Sequence, residues 1–111
     1  MQLFDTHTHL DIGPLADDPA GVLARARDAG VTRVAAIGVV RRAEDLHRTL
    51  DLARDHAGVV STVGVHPHDA RFADDALLAD LERVAGDDAV VALGEMGLDY
   101  HYTRSPQDVQ R

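Results

Sequence analysis

The sequence predicts an α/β fold in which a parallel sheet is built from successive βα units. Three observations carry that prediction. Short β-branched runs alternate with stretches whose apolar residues recur every three or four positions. The candidate catalytic side chains all fall at or just past the C-terminal ends of those runs, where open α/β sheets and (β/α)₈ barrels both place their sites. No Gly-rich phosphate-binding turn follows the first strand, which weakens a nucleotide-binding doubly wound sheet and favours a barrel.

The elements follow in chain order. Residues 3–7 form the first strand. Asp17 or Asp18 then offers a helix cap, Pro19 suits the first helical position, and Gly30 marks the end. Val31 to Val39 is a β-branched and alanine-rich strand. Ala43, Leu46, Leu50 and Ala53 share one face of a second helix that runs toward Gly58. Val59 to Val63 is the third strand, ending at Gly64. Leu77, Leu81 and Val84 mark a third helix that stops at Gly86, and Val90 to Leu93 supplies the fourth strand. The strands are apolar on both faces, which predicts helices on one side and a core on the other.

Ser105-Pro106-Gln107-Asp108 reads as a helix start, with serine as cap, proline first and an acid three residues after the cap. A complete barrel takes roughly 250 residues, so a chain of 111 holds about four of eight units. The expectation is therefore the N-terminal portion of a single barrel domain, spanning residues 1–111, and one with an incomplete set of catalytic groups.

Composition narrows the partners. There are 11 basic residues, all arginine, against 19 acidic ones, so no broad basic stripe for nucleic acid is expected. A small phosphorylated substrate, or one nucleic-acid end held by metals, remains compatible. With no cysteine, metal ligands are limited to histidine and carboxylate. No run approaches the roughly 18 apolar residues of a membrane span, and no basic region precedes an apolar one at the N-terminus. A cytoplasmic location with no obligate protein partner is the resulting expectation.

His7-Thr8-His9 is the first candidate metal site. Seven histidines in 111 residues give roughly 0.4 such pairs by chance, so the motif needs its structural context. On a strand the two imidazoles face the same way and can share a cation, with Asp5 of the same parity able to orient one of them. Glu95 continues the parity of Val91 and Leu93 beyond the fourth strand, where a carboxylate can bridge two hard cations. His66, past the third strand, can hydrogen-bond a phosphate or act as a general acid. Arg104 can grip phosphate as a planar fork, whereas Arg41 and Arg42 read as solvated helix-start charges, and His47 and His56 as surface residues.

Phe4-Asp-Thr-His-Thr-His-Leu-Asp11, Gly64-Val-His-Pro-His-Asp69, Gly94-Glu-Met-Gly-Leu-Asp-Tyr100 and Ser105-Pro-Gln-Asp-Val-Gln110, in this order, resemble the N-terminal half of the TatD family of metal-dependent hydrolases. The resemblance implies a TIM barrel of the metallo-dependent hydrolase type with two divalent ions (Mg²⁺, Mn²⁺ or Zn²⁺) and phosphodiesterase activity on DNA. It assigns His7 and His9 to one metal and Glu95 to a bridging, catalytic position. His66 receives a substrate or catalytic role. Two later histidines and an aspartate of the family pattern have no counterpart, which predicts an inactive isolated chain. The alternatives are an amidohydrolase-like enzyme cleaving a C–N or ester bond, and a non-catalytic half-barrel.

Overall fold

The computed structural model describes the whole chain, Met1–Arg111. Four strands, β1 (Leu3–Thr8), β2 (Val31–Val39), β3 (Val59–Gly64) and β4 (Val90–Leu93), form one sheet in sequential order. All three pairings are parallel. Between them run α1 (Pro19–Asp28), α2 (Arg48–Asp55) and α3 (Asp75–Ala85). A parallel pair needs such a crossover, so the alternation read in the sequence becomes the topology.

Local chemistry sets the helix limits. The Asp18 carboxylate accepts the Gly21 N–H at 2.9 Å, and Gly30, at φ +94°, turns the chain out of α1 in a conformation that costs other residues strain. Asp74 caps α3 by accepting the Leu77 N–H at 2.8 Å. The second helical segment is not uniform: residues Ala43–His47 form a 3₁₀ turn before α2 begins. Asp45 explains it. Its buried carboxylate accepts the backbone N–H groups of Arg41 and Arg42 and pairs with Arg48 at 2.9 Å, tightening the entry.

The helices bury one face of the sheet. Leu46 and Leu50 pack with Val40, Val63, Leu77 and Val84 in one cluster, while Leu10, Leu23, Val34, Ala36 and Val59 form a second. Within this face Ser61 Oγ donates to Thr49 Oγ1 at 2.7 Å, and Thr49 Oγ1 donates in turn to the Thr62 carbonyl at 3.4 Å, so both buried hydroxyls have partners.

The other face differs from expectation. Val90 packs under α3, and alternation turns Val91 and Leu93 away from it, where they are 58% and 55% exposed. Leu3 and Phe4, adjacent in β1 and turned to opposite faces, are both exposed at the sheet edge. All three helices pack on one side; on the opposite face Ala35 and Ile37 of the inner strand β2 are buried, whereas Val91 and Leu93 of the edge strand β4 are open to solvent. The helix start read at Ser105–Asp108 forms a single turn, in which Val109 and Gln110 both donate to the Pro106 carbonyl at 3.1 Å.

Candidate metal centre

β1 and β4 are opposite edges of the sheet, and three inter-strand steps of about 4.8 Å would separate them by roughly 14 Å if the sheet were flat. It is not flat. The side chains projecting from the two edges converge: Nε2 of His7 and Nε2 of His9 each lie 3.7 Å from Glu95 Oε2. One ligand atom from each of His7, His9 and Glu95 fits within a mutual span of 4.8 Å. The other carboxylate oxygen, Glu95 Oε1, faces His66 Nε2, also at 3.7 Å.

Backbone devices hold these groups. β1 ends at Thr8, so His9 stands just beyond the strand. Register shifts in the β1–β2 pairing between Asp5 and Thr8 accompany the departure. Asp5 was expected to orient a histidine ring; instead its carboxylate accepts the His7 backbone N–H at 3.1 Å. Thr62 Oγ1 donates to the Gly94 carbonyl at 2.9 Å and fixes the approach to Glu95. Gly64 makes room for that approach: a Cβ there would stand 2.7 Å from the Gly94 carbonyl carbon.

Two polar atoms near the histidine pair are buried without a hydrogen-bond partner, His9 Nδ1 and Asp11 Oδ1. Burial pushes the Asp11 carboxyl above its ordinary range, against the opposing pull of its backbone hydrogen bond, Arg48 and His9. Two imidazoles and a carboxylate in reach of one point form a donor set suited to Zn²⁺ or Mn²⁺; with His9 Nε2 free to ligate, its Nδ1 carries the ring hydrogen, and Asp11 Oδ1 keeps an unused lone pair beside it.

His9, Glu95 and His66 open onto a cleft of about 940 Å³ between the strand ends and the loops beyond them. Arg41, Arg42, Arg48, Arg71 and Arg104 line it, against the carboxylates of Asp45, Asp69 and Glu95. Arg104 therefore shares the cleft with His66 and Glu95, its guanidinium 5.7 Å from the Tyr102 ring centroid. Arg41, read as a solvated charge, in fact grips the buried Asp69 at 2.8 Å and is fixed at the rim. His47 is exposed and outside the cleft, His56 is half-buried and outside it, and His101 packs edge-on against Tyr102.

Sequence reasoning missed a second cluster behind His66. His68 Nε2 lies 2.5 Å from Asp99 Oδ2. Asp99 Oδ1 accepts the N–H groups of Tyr102 and His101. These bonds, the Tyr102 N–H first and the His68 ring next, hold the Asp99 carboxyl down at about 2. The signal lay in the His-Pro-His and Gly-Leu-Asp motifs, but the contact joins positions 31 apart and no local pattern marks it.

Comparison with known proteins identifies the family. The family model for TatD related DNase matches residues 4–111. The chain is 35% identical to the metal-dependent hydrolase YabD of Bacillus subtilis (strain 168), over 98% of this chain and 42% of that protein. It is 39% identical to the 3′-5′ ssDNA/RNA exonuclease TatD of Pantoea sp. (strain At-9b), over 97% of this chain and 41% of the relative. Its structure superposes on the crystal structure of YjjV, a TatD homologue from Escherichia coli K12, with a TM-score of 0.80 and 30% identity, covering 97% of this chain and 44% of that one. The chain thus spans about two fifths of the length of these relatives. With the motifs, the strand order and the family match all running along the same residues, the chain belongs to the TatD-related DNase family.

Proposed function

We propose that the protein carrying this chain is a metal-dependent hydrolase of phosphodiester bonds, acting on single-stranded nucleic acid. The observation that supports it best is the division of Glu95, with one oxygen turned to His7 and His9 and the other to His66. A carboxylate placed so can serve two centres at once. His7, His9 and Glu95 would hold the first divalent ion, and Glu95 would share a second with groups outside these 111 residues. Such ions supply Lewis acidity toward a phosphoryl oxygen and toward water.

The chain's own residues do the rest. Five arginines against three carboxylates make the cleft favourable to an anion, which supports a phosphodiester over a neutral amide or an uncharged ester. Arg104 offers a forked donor to a non-bridging phosphate oxygen. Its carbonyl accepts from Arg71, so the two arginines stand side by side at the rim. His66, half-buried beneath them, presents Nε2 to the same space. No helix is long and apolar enough to cross a membrane, and action in the cytoplasm belongs to the same proposal.

Nucleotide release from single-stranded DNA tests the reading. The protein carrying this chain should release nucleotides only with Mg²⁺, Mn²⁺ or Zn²⁺, and chelation should abolish release. Glu95→Gln should lower the rate by at least about 100-fold, because loss of a shared ligand disturbs both ions. The 111-residue chain by itself should show negligible turnover. Release that survives chelation, or hydrolysis of amides in preference to DNA, would overturn the proposal.

A further inference from the structure

His66 sits in a hydrogen-bonded setting that fixes where its proton lies. Its Nδ1 accepts the backbone N–H of His68 at 3.1 Å. A ring nitrogen that accepts carries no hydrogen, so the single proton of the ring must be on Nε2. Nε2 is the atom that faces the cleft, 3.7 Å from Glu95 Oε1. A doubly protonated ring would have to give up the His68 contact, because both nitrogens would then be donors.

The residue that donates in this contact is itself held from two sides. The His68 ring meets Asp99 at 2.5 Å, and its carbonyl accepts Ser105 Oγ at 2.8 Å. Asp99 is anchored in turn by Gln110, which accepts the Asp99 N–H at 2.8 Å and donates to the Asp99 carbonyl at 3.0 Å. The same glutamine donates to the Ser105 carbonyl at 2.8 Å. The segment after β4 is thereby tied to the turn after β3, and the tie ends on the His66 ring.

We propose that the His68 N–H holds His66 with Nδ1 as acceptor and Nε2–H toward the cleft, with His68 and Asp99 as its positioning residues, so that His66 offers the substrate a fixed hydrogen-bond donor. A donor fixed before the substrate arrives stabilises charge on a phosphoryl oxygen without reorganising during the reaction. The role at the substrate rests on the hydrolase reading; the tautomer does not.

Nuclear magnetic resonance of the ¹⁵N-labelled chain near pH 8 reads the tautomer without any turnover. His66 should show one tautomer, protonated at Nε2, with a scalar coupling across the hydrogen bond from the His68 amide nitrogen to His66 Nδ1. Asp99→Asn should weaken or abolish that coupling and let the Nδ1–H tautomer appear, and Asp108→Asn, the same charge change on an exposed residue, should change neither. If Asp99→Asn fails to fold, His68→Ala keeps the amide but removes the ring that Asp99 grips, and should give the same result. A proton on Nδ1 in the unaltered chain, or an unchanged coupling in the folded variant, overturns the proposal. In the protein carrying this chain, His66→Asn, which keeps an N–H donor, should retain at least about 10-fold more nuclease activity than His66→Ala. Equal loss in an otherwise active enzyme overturns the donor role, and an inactive parent with the coupling intact would refute the hydrolase reading alone.

Discussion

Gly64 lies where a methyl group has no room. The Gly94 carbonyl carbon and oxygen would stand 2.7 and 2.9 Å from its Cβ, and both are backbone atoms that can move only by shifting the whole segment. Gly64→Ala should therefore cost roughly 1–3 kcal/mol, the usual penalty for inserting a methylene into a packed site. Chemical denaturation measures that loss, and Zn²⁺ titration should show weaker binding, because the displaced segment carries Glu95. Unchanged stability would mean the β3 and β4 ends are looser than the structure shows. Asp99 makes a second case at this scale. Its carboxyl titrates at about 2 when folded, against 3.8 in the absence of its partners. Its contribution to stability is thus complete above pH 3.8 and is lost as the pH falls toward 2. Unfolding curves of the chain and of Asp99→Asn should converge over that interval and separate above it.

At the scale of elements, α2 shows how polar and apolar burial combine. Leu50 packs in the core between β3 and α3, while Thr49 turns its hydroxyl to Ser61 and to the Thr62 carbonyl. Thr49→Val keeps the volume but leaves the Ser61 hydroxyl only its longer contact to the Thr62 carbonyl at 3.3 Å, so about 0.5–1.5 kcal/mol of stability should be lost. Ser61→Ala combined with Thr49→Val removes both partners and should recover part of that loss, which a thermodynamic cycle would measure. The four strands and three helices were legible because each repeats at its own period and is bounded by Asp, Pro or Gly. The 3₁₀ entry to α2 was not, since it depends on Asp45 gathering two backbone amides and Arg48 from residues that also fit a helix. Of the site, His7, His9, His66 and Glu95 were readable from position at strand ends. The Asp99–His68 pair and the grip of Arg41 on Asp69 were not, because both join loops that only the folded sheet brings together.

The whole molecule has two unlike surfaces. One face is sealed by helices, and the other exposes Val91 and Leu93; Met96 and Leu98, in the segment after β4, are also more than half accessible to solvent. Both outer strands also lack a neighbour on one side, so backbone donors and acceptors are open there. The 111-residue chain should accordingly self-associate, and sedimentation velocity should show species that grow with concentration. Replacing Val91 and Leu93 with threonine should shift the distribution toward monomer while leaving the helix-packed face intact. A monomer at all concentrations would show that this face tolerates water better than its composition suggests.

The sequential strand order also sets a timetable. During synthesis each new strand finds its hydrogen-bonding neighbour already made, so the sheet can grow without waiting for distant sequence. The ion site cannot. His9 emerges roughly 90 residues before Glu95, and at about 5–20 residues per second the imidazoles stand without their carboxylate for about 4–20 s. Throughout that interval the pair is open to whatever soft cation the ribosome's surroundings offer. The arrival of β4 is therefore the moment at which the candidate site gains its carboxylate, the hard oxygen ligand beside two imidazoles.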